Sequence, residues 1–213
     1  MTNGENRNLT RDYGITIAVT VVVSLLIRIF VIEAYRIPTL AMRPTLEPGD
    51  IVFAVKWPRK EPKRGDLVLY SPDELDKRDY IKRVIAIPGE TVEIRKGSLL
   101  VDGKSVAQRI QDAGCGTEGL PADAGNFREH GVCLEPPVIP DAPPTAVPSG
   151  SVYVLGDLRT GSQILAEDRG KSWGVIPAST IKGRVLCIWL SVDGGSRSWF
   201  PKFRFDRMFR ELK

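Results

Sequence analysis

Apolar positions follow two regimes along the chain. Residues 14–32, GITIAVTVVVSLLIRIFVI, are almost continuously apolar, with one charge, Arg28, and no proline. At about 1.5 Å of rise per residue such a run is close to the roughly 30 Å hydrocarbon thickness of a bilayer. This predicts one N-terminal transmembrane helix: residues 1–12 a tail, 13–35 the anchor, and 36–213 a body on the far side of the membrane. Arg28 sits near the end of the run, where its stem can snorkel to the headgroups. A cleaved secretory signal is the competing reading, but no small-x-small site follows cleanly. After Ile37 helical periodicity stops, and short β-rich runs recur at 51–55, 66–70, 80–87, 91–94, 98–101, 152–155 and 181–190. Pro48-Gly49-Asp50, Arg64-Gly65-Asp66, Pro88-Gly89-Glu90 and Asp102-Gly103 supply turns between them. The fold expected is mainly β. Residues 111–150, rich in Gly, Pro and Ala, read as an irregular insertion. The tail from Ser196 interleaves aromatic with basic residues, which suits either a terminal element or contact with a membrane surface.

Composition removes several functions. The net charge is +4, and the basic residues are dispersed rather than gathered into a stripe, so no nucleic-acid partner is expected. The single histidine, His130, excludes a centre that needs two imidazoles, and it lies in the insertion, away from any nucleophile motif. Cys115 and Cys133 are eighteen positions apart. In an extracytoplasmic domain they can form a disulfide contributing roughly 3 kcal/mol. A zinc site of Cys115, His130 and Cys133 lacks a fourth evident ligand, and free thiols are the remaining choice. Cys187, in VLCIWL, reads as a small core residue.

Four motifs carry chemistry. They are Ile37-Pro38-Thr39-Leu40-Ala41-Met42-Arg43-Pro44-Thr45-Leu46-Glu47-Pro48-Gly49-Asp50, then Arg64-Gly65-Asp66-Leu67-Val68-Leu69-Tyr70, then Tyr80-Ile81-Lys82-Arg83-Val84-Ile85-Ala86-Ile87-Pro88-Gly89-Glu90, and Gly156-Asp157-Leu158-Arg159 reaching Ser162. In this order, after an apolar anchor, they closely resemble the boxes of the bacterial type I signal peptidases, membrane-anchored Ser/Lys proteases. The resemblance runs from about residue 14 to about 192, outside the insertion. It implies a membrane-anchored β-sheet or partial-barrel protease domain with no cofactor and no metal.

By that resemblance position 41 is the nucleophile, Lys82 the general base, Thr39 part of the oxyanion hole, and Ser162 the hydroxyl that orients Lys82. Lysine serves as a base only where burial against apolar walls destabilises its ammonium. Lys82, among Tyr80, Ile81, Val84 and Ile85, suits such a wall. Ile37, Met42, Ile85 and Ala86 are expected to line pockets for small substrate side chains. Asp157 and Arg159 are expected to be structural, and beyond Ser162 the match loosens: Asp168 and Arg169 take the family's salt-bridging places, or Lys171 takes the arginine's. Expected partners are signal peptides of secreted preproteins, the lipid bilayer and the secretion translocon. The expected location is the bacterial inner membrane, single-pass, with the catalytic domain extracytoplasmic. The departure is at position 41, where the family has serine and this chain has Ala41, which has no oxygen with which to form an acyl-enzyme. An engineered replacement is favoured by the otherwise intact pattern. The alternatives are a natural signal-peptide-binding pseudoenzyme and a specialised pilin-precursor peptidase.

Overall fold

The structure, a computed structural model, describes residues 5–30, 32–56, 61–72, 78–110, 114–121, 127–136, 139–160, 173–193 and 202–212. Helix α1 (Glu5–Phe30) leads directly into β1 (Ile32–Arg36). The end of the expected 13–35 anchor is therefore sheet rather than helix. Residues 32–36 find a complete antiparallel ladder, Ile32 opposite Val55 through Arg36 opposite Ile51, which satisfies their backbone groups better than a frayed last turn would. Among the described residues no helix is long and apolar enough to cross a membrane. On α1, Ile15, Ile17, Val19, Val21, Val22, Val23 and Leu25 are each about half exposed or more.

The remaining strands are β2 (Asp50–Lys56), β3 (Leu67–Tyr70), β4 (Tyr80–Ala86), β5 (Thr91–Arg95), β6 (Ser98–Val101), β7 (Lys104–Ser105), β8 (Ala107–Ile110), β9 (Cys115–Pro121), β10 (Phe127–Leu134), β11 (Ala142–Ala146), β12 (Ser151–Leu155), β13 (Leu158–Arg159), β14 (Gly174–Pro177), β15 (Ile181–Asp193) and β16 (Lys202–Phe203). The principal sheet runs β1-β2-β15-β3-β4-β12-β14, with β16 on β15; the smaller sheets run β13-β10-β9-β8 and β11-β5-β6-β7. Every β-rich run expected from the sequence is a strand.

The described residues of the insertion are largely strand. β9 and β10 pair from Phe127 opposite Pro121 to Cys133 opposite Cys115, and β11 pairs with β5. Few of these residues favour strands alone, but strand preference depends on the neighbours a segment finds, and here Leu120, Val132 and Cys133 are fully buried.

One core lies beneath β5 and β6 and gathers Ile85, Ala86, Val92, Ile94, Leu99 and Leu155. A second gathers Ile37, Met42, Leu46, Val52, Leu69 and Ile188. The second is what anchors the loop that carries residue 41.

Candidate active site

The loop between β1 and β2 is closed at its base by backbone bonds, Ile37 N–H to Asp50 O at 2.8 Å and Gly49 N–H to Ile37 O at 3.0 Å. Ile37, Met42 and Leu46 turn inward and are buried, so the motif's apolar spacing works as a set of pegs. Gly49 has φ +91°, and a Cβ there would sit 2.0 Å from the Val192 carbonyl oxygen, so the turn requires glycine.

The C-terminal segment grips the same base. Asp50, fully buried, accepts from Ser191 Oγ at 2.6 Å, Arg204 Nη2 at 3.1 Å and Arg207 Nη2 at 2.7 Å. Arg204 also donates to Pro48 O at 2.9 Å, and Arg207 to Thr45 O at 3.2 Å. Burial would raise the Asp50 carboxyl, but Arg207, Ser191 and the Glu47 amide hold it below the ordinary range.

Residue 41 and Lys82 meet across the strand turn at Gly156. Leu158 N–H donates to Ala41 O at 3.2 Å. A Cβ placed on Gly156 would lie 2.6 Å from Ala41 O and 3.5 Å from Lys82 Nζ. Glycine at 156 thus permits the close approach that brings the two together. Lys82, on β4 opposite Val68, is 6% exposed. Together with Thr39, Ala41, Ile37, Met42 and Leu69 it lines a cavity of about 490 Å³, to which the exposed Arg36, Arg78 and Asp79 also contribute. Ile85 and Ala86, expected as pocket walls, are instead fully buried in the first core and do not line this cavity. Lys82 and Ala86 have the same parity along β4, but a register shift in the pairing with β12 between Val84 and Ala86 breaks the alternation, and Ile85 and Ala86 both join the first core. Ser162, Asp168 and Arg169 lie outside the described residues.

Behind the cavity lies a buried ionic chain. Arg83 grips Asp157 with Nε at 2.9 Å and Nη2 at 2.8 Å, and donates to Gly65 O at 2.9 Å. The Thr45 hydroxyl also donates to Asp157. Arg159 makes a two-pronged pair with Glu118, one bond at 2.6 Å, and Gln108 donates to the same carboxylate at 2.8 Å. Burial opposes both carboxylates, yet Arg83 keeps Asp157, and Arg159 keeps Glu118, ionised below the usual range. His130 joins the pairs, with Nε2 at 3.2 Å from Glu118 and 3.7 Å from Asp157. It is therefore not stranded in the insertion: β10 carries it into the protein, directly behind the loop of residue 41.

Asp157 pairs with Arg83, and Arg159 with Glu118. The Lys-Arg dipeptide on a strand is a usable signal for Arg83, since alternation must put the two side chains on opposite faces. Nothing in the sequence around Glu118, or around Arg204 and Arg207, announces their roles. Cys115 and Cys133 form a disulfide, which removes their thiolates from any zinc site. Cys187 is a free, half-buried thiol rather than a core residue, and burial pushes its pKa up.

Comparison with known proteins settles the lineage. A family model described as signal peptidase, peptidase S26, matches residues 10–190. The chain belongs to this family. Probable signal peptidase I-1 of Synechocystis sp. is 33% identical, covering 79% of this chain and 76% of that protein. Signal peptidase I T of Bacillus subtilis is 34% identical, covering 76% of this chain and 81% of that protein. Signal peptidase I of Pseudomonas aeruginosa is 28% identical, covering 90% and 76%. The signal peptidase match includes the loop of residue 41, Lys82 and Asp157, whereas Arg204 and Arg207 lie beyond it.

Proposed function

We propose that this signal peptidase family member handles the signal peptides of translocated preproteins at a membrane surface, through a Ser/Lys-type site whose nucleophile position is occupied by Ala41. The observation that carries this reading is the buried Lys82 amine sharing one cavity with Ala41. With a serine at 41, its Oγ would attack the scissile carbonyl while Lys82 takes the proton. The residue 41 amide and the Thr39 hydroxyl would stabilise the oxyanion. Lys82 would then protonate the departing amine, and a water, deprotonated by Lys82, would release the acyl group. Ser162 would orient the amine. As written, Ala41 supplies no attacking oxygen, so the chain holds peptide without cutting it. That is the point at which the non-catalytic reading has its own support.

The substrate this geometry suits is an extended peptide. β1 is the edge strand of the principal sheet, and an extended peptide can add alongside such an edge. Ile37 and Met42 supply apolar walls for small side chains. The membrane reading is supported by the apolar run 14–32 and by the exposed apolar side chains of α1, whose fitting solvent is lipid. A disulfide between Cys115 and Cys133 fits the extracytoplasmic face, with the translocon as neighbour.

The test restores the hydroxyl. Ala41→Ser in detergent-solubilised full chain should cleave a preprotein bearing a small-x-small site, and Lys82→Met in that background should abolish cleavage. A restored protein that binds the signal peptide and leaves it intact would overturn the dyad in favour of a binding protein.

A further inference from the structure

The disulfide lies two hydrogen bonds from the backbone of residue 41. Cys133 N–H donates to Asp157 O at 2.9 Å, and the next amide, Leu158 N–H, donates to Ala41 O at 3.2 Å. Cys133 is also the parallel-sheet partner of Leu158. Two residues earlier on the same strand, Gly131 lies so close to the loop of residue 41 that a Cβ on it would come within 2.6 Å of Pro44 Cγ. One residue earlier still, His130 reaches Asp157 and Glu118. β10 thus touches the loop of residue 41 directly at Pro44 and, through Asp157 and Leu158, at Ala41 itself.

The bridge determines where β10 sits. Cys115 and Cys133 face each other in the antiparallel ladder with Cα atoms 4.0 Å apart. Unbridged opposite residues ordinarily stand about 4.5–5.5 Å apart. Cys133 is fully buried and has no solvent to move into. Opening the bridge removes the covalent tie between β9 and β10, and Asp157 and Leu158 are joined to β10. Cys115, by contrast, is only half-buried.

We propose that the Cys115–Cys133 bridge is a thiol-exchange site that positions residue 41, so that a dithiol reductant opening it weakens peptide binding in the cleft. A thiolate of the dithiol attacks Cys115 Sγ, breaking the sulfur–sulfur bond, and Cys133 leaves as a thiolate and takes a proton. The second thiol of the dithiol, losing its proton, attacks the mixed disulfide and releases Cys115, which is protonated in turn. The dithiol is oxidised to a disulfide and the bridge is reduced to two thiols. The peptide-binding consequence rests on the function proposed above; the positioning of residue 41 does not.

The experiment uses the full chain in detergent, oxidised or treated with dithiothreitol, with alkylation and mass spectrometry reporting one free thiol before reduction and three after it. Binding of a labelled peptide, an apolar stretch followed by Ala-x-Ala, should weaken on reduction by about tenfold, within the usual range of coupling between sites. Reoxidation should restore it, and a Cys115→Ser/Cys133→Ser protein should bind weakly with or without dithiothreitol. Unchanged affinity in fully reduced protein would overturn the proposal. Hydrogen exchange at the Leu158 amide gives the answer without peptide. Reduction should accelerate it while Val92 and Ile94 amides on β5 stay protected. Leu158 exchange that does not change, or a rise throughout the chain, would each overturn positioning by the bridge. If neither state binds peptide but Leu158 responds, the coupling stands and the peptide-site reading fails.

Discussion

Arg83 meets Asp157 through two parallel bonds, 2.9 and 2.8 Å, with both side chains 1% exposed. The pair stands between the two halves of the site. Arg83 follows Lys82 on β4, and Asp157 joins Gly156 to Leu158, the two residues that contact the Ala41 carbonyl region. The pair thus ties the strand of Lys82 to the turn that contacts the backbone of residue 41.

Asp157→Asn would leave the Arg83 guanidinium buried without its counter-charge. Breaking one side of a buried pair costs about 3–5 kcal/mol, and in a domain of this size each kcal/mol lowers Tm by about 2–4 °C. Thermal unfolding followed by circular dichroism should show that drop. The double variant Arg83→Met/Asp157→Leu should recover much of it, because neither charge then stays behind.

Gly156→Ala should affect residue 41 specifically. The added methyl would lie 2.6 Å from the Ala41 carbonyl oxygen, which is backbone and cannot swing aside. We expect a destabilisation of about 1–3 kcal/mol and loss of the Leu158 to Ala41 hydrogen bond. Faster exchange of the Leu158 amide checks the second point, and an unaltered rate would count against the contact.

Acid should unfold the protein through three carboxylates. Asp50, Asp157 and Glu118 are held below their ordinary values by Arg207, Arg83 and Arg159 against the cost of burial. A lowered folded value means the unfolded chain binds the proton first. The stabilisation is thus complete above the unfolded carboxyl range, about pH 4, and is lost as pH falls through the folded values. Urea midpoints should be level from pH 7 to about pH 5 and fall steeply below about pH 4, with Asp157→Asn flattening the fall.

Arg207→Ala should loosen the loop of residue 41 from outside the family-matched region. It removes the 2.7 Å bond to buried Asp50 and the bond to Thr45 O, while Arg204 remains as a partial counter-charge. A loss of about 3 kcal/mol is expected, at the low end for a broken buried pair. Arg207→Lys, which retains charge but not the planar fork, should lose less. Equal loss in both would mean that geometry, not charge, holds the turn.

The strands of the body were legible because their β-branched runs alternate or fill buried positions, and the turns because Gly49, Gly65 and Gly89 mark them. The loop of residue 41 was legible as a motif, but that Ile37, Met42 and Leu46 are buried together in one core came from the structure. The ordered β9–β10 hairpin was not, since its residues become strand only through partners supplied from elsewhere in the chain. Ile85 and Ala86 pack into the first core and not along the cavity, because nearness to Lys82 in sequence does not say where the pairing of β4 with β12 shifts register.

The sequence by itself determined the order of motifs, the family they belong to, the absence of a hydroxyl at position 41 and the apolar run at the front, because each is a property of neighbouring residues. Tertiary structure alone decided that Arg83 pairs with Asp157, that Glu118 pairs with Arg159, that His130 lies between them, and that Arg204 and Arg207 return to hold Asp50. Buried charges must find partners wherever the fold brings opposite charge close, and that closeness arises from the pairing of distant strands rather than from spacing along the chain.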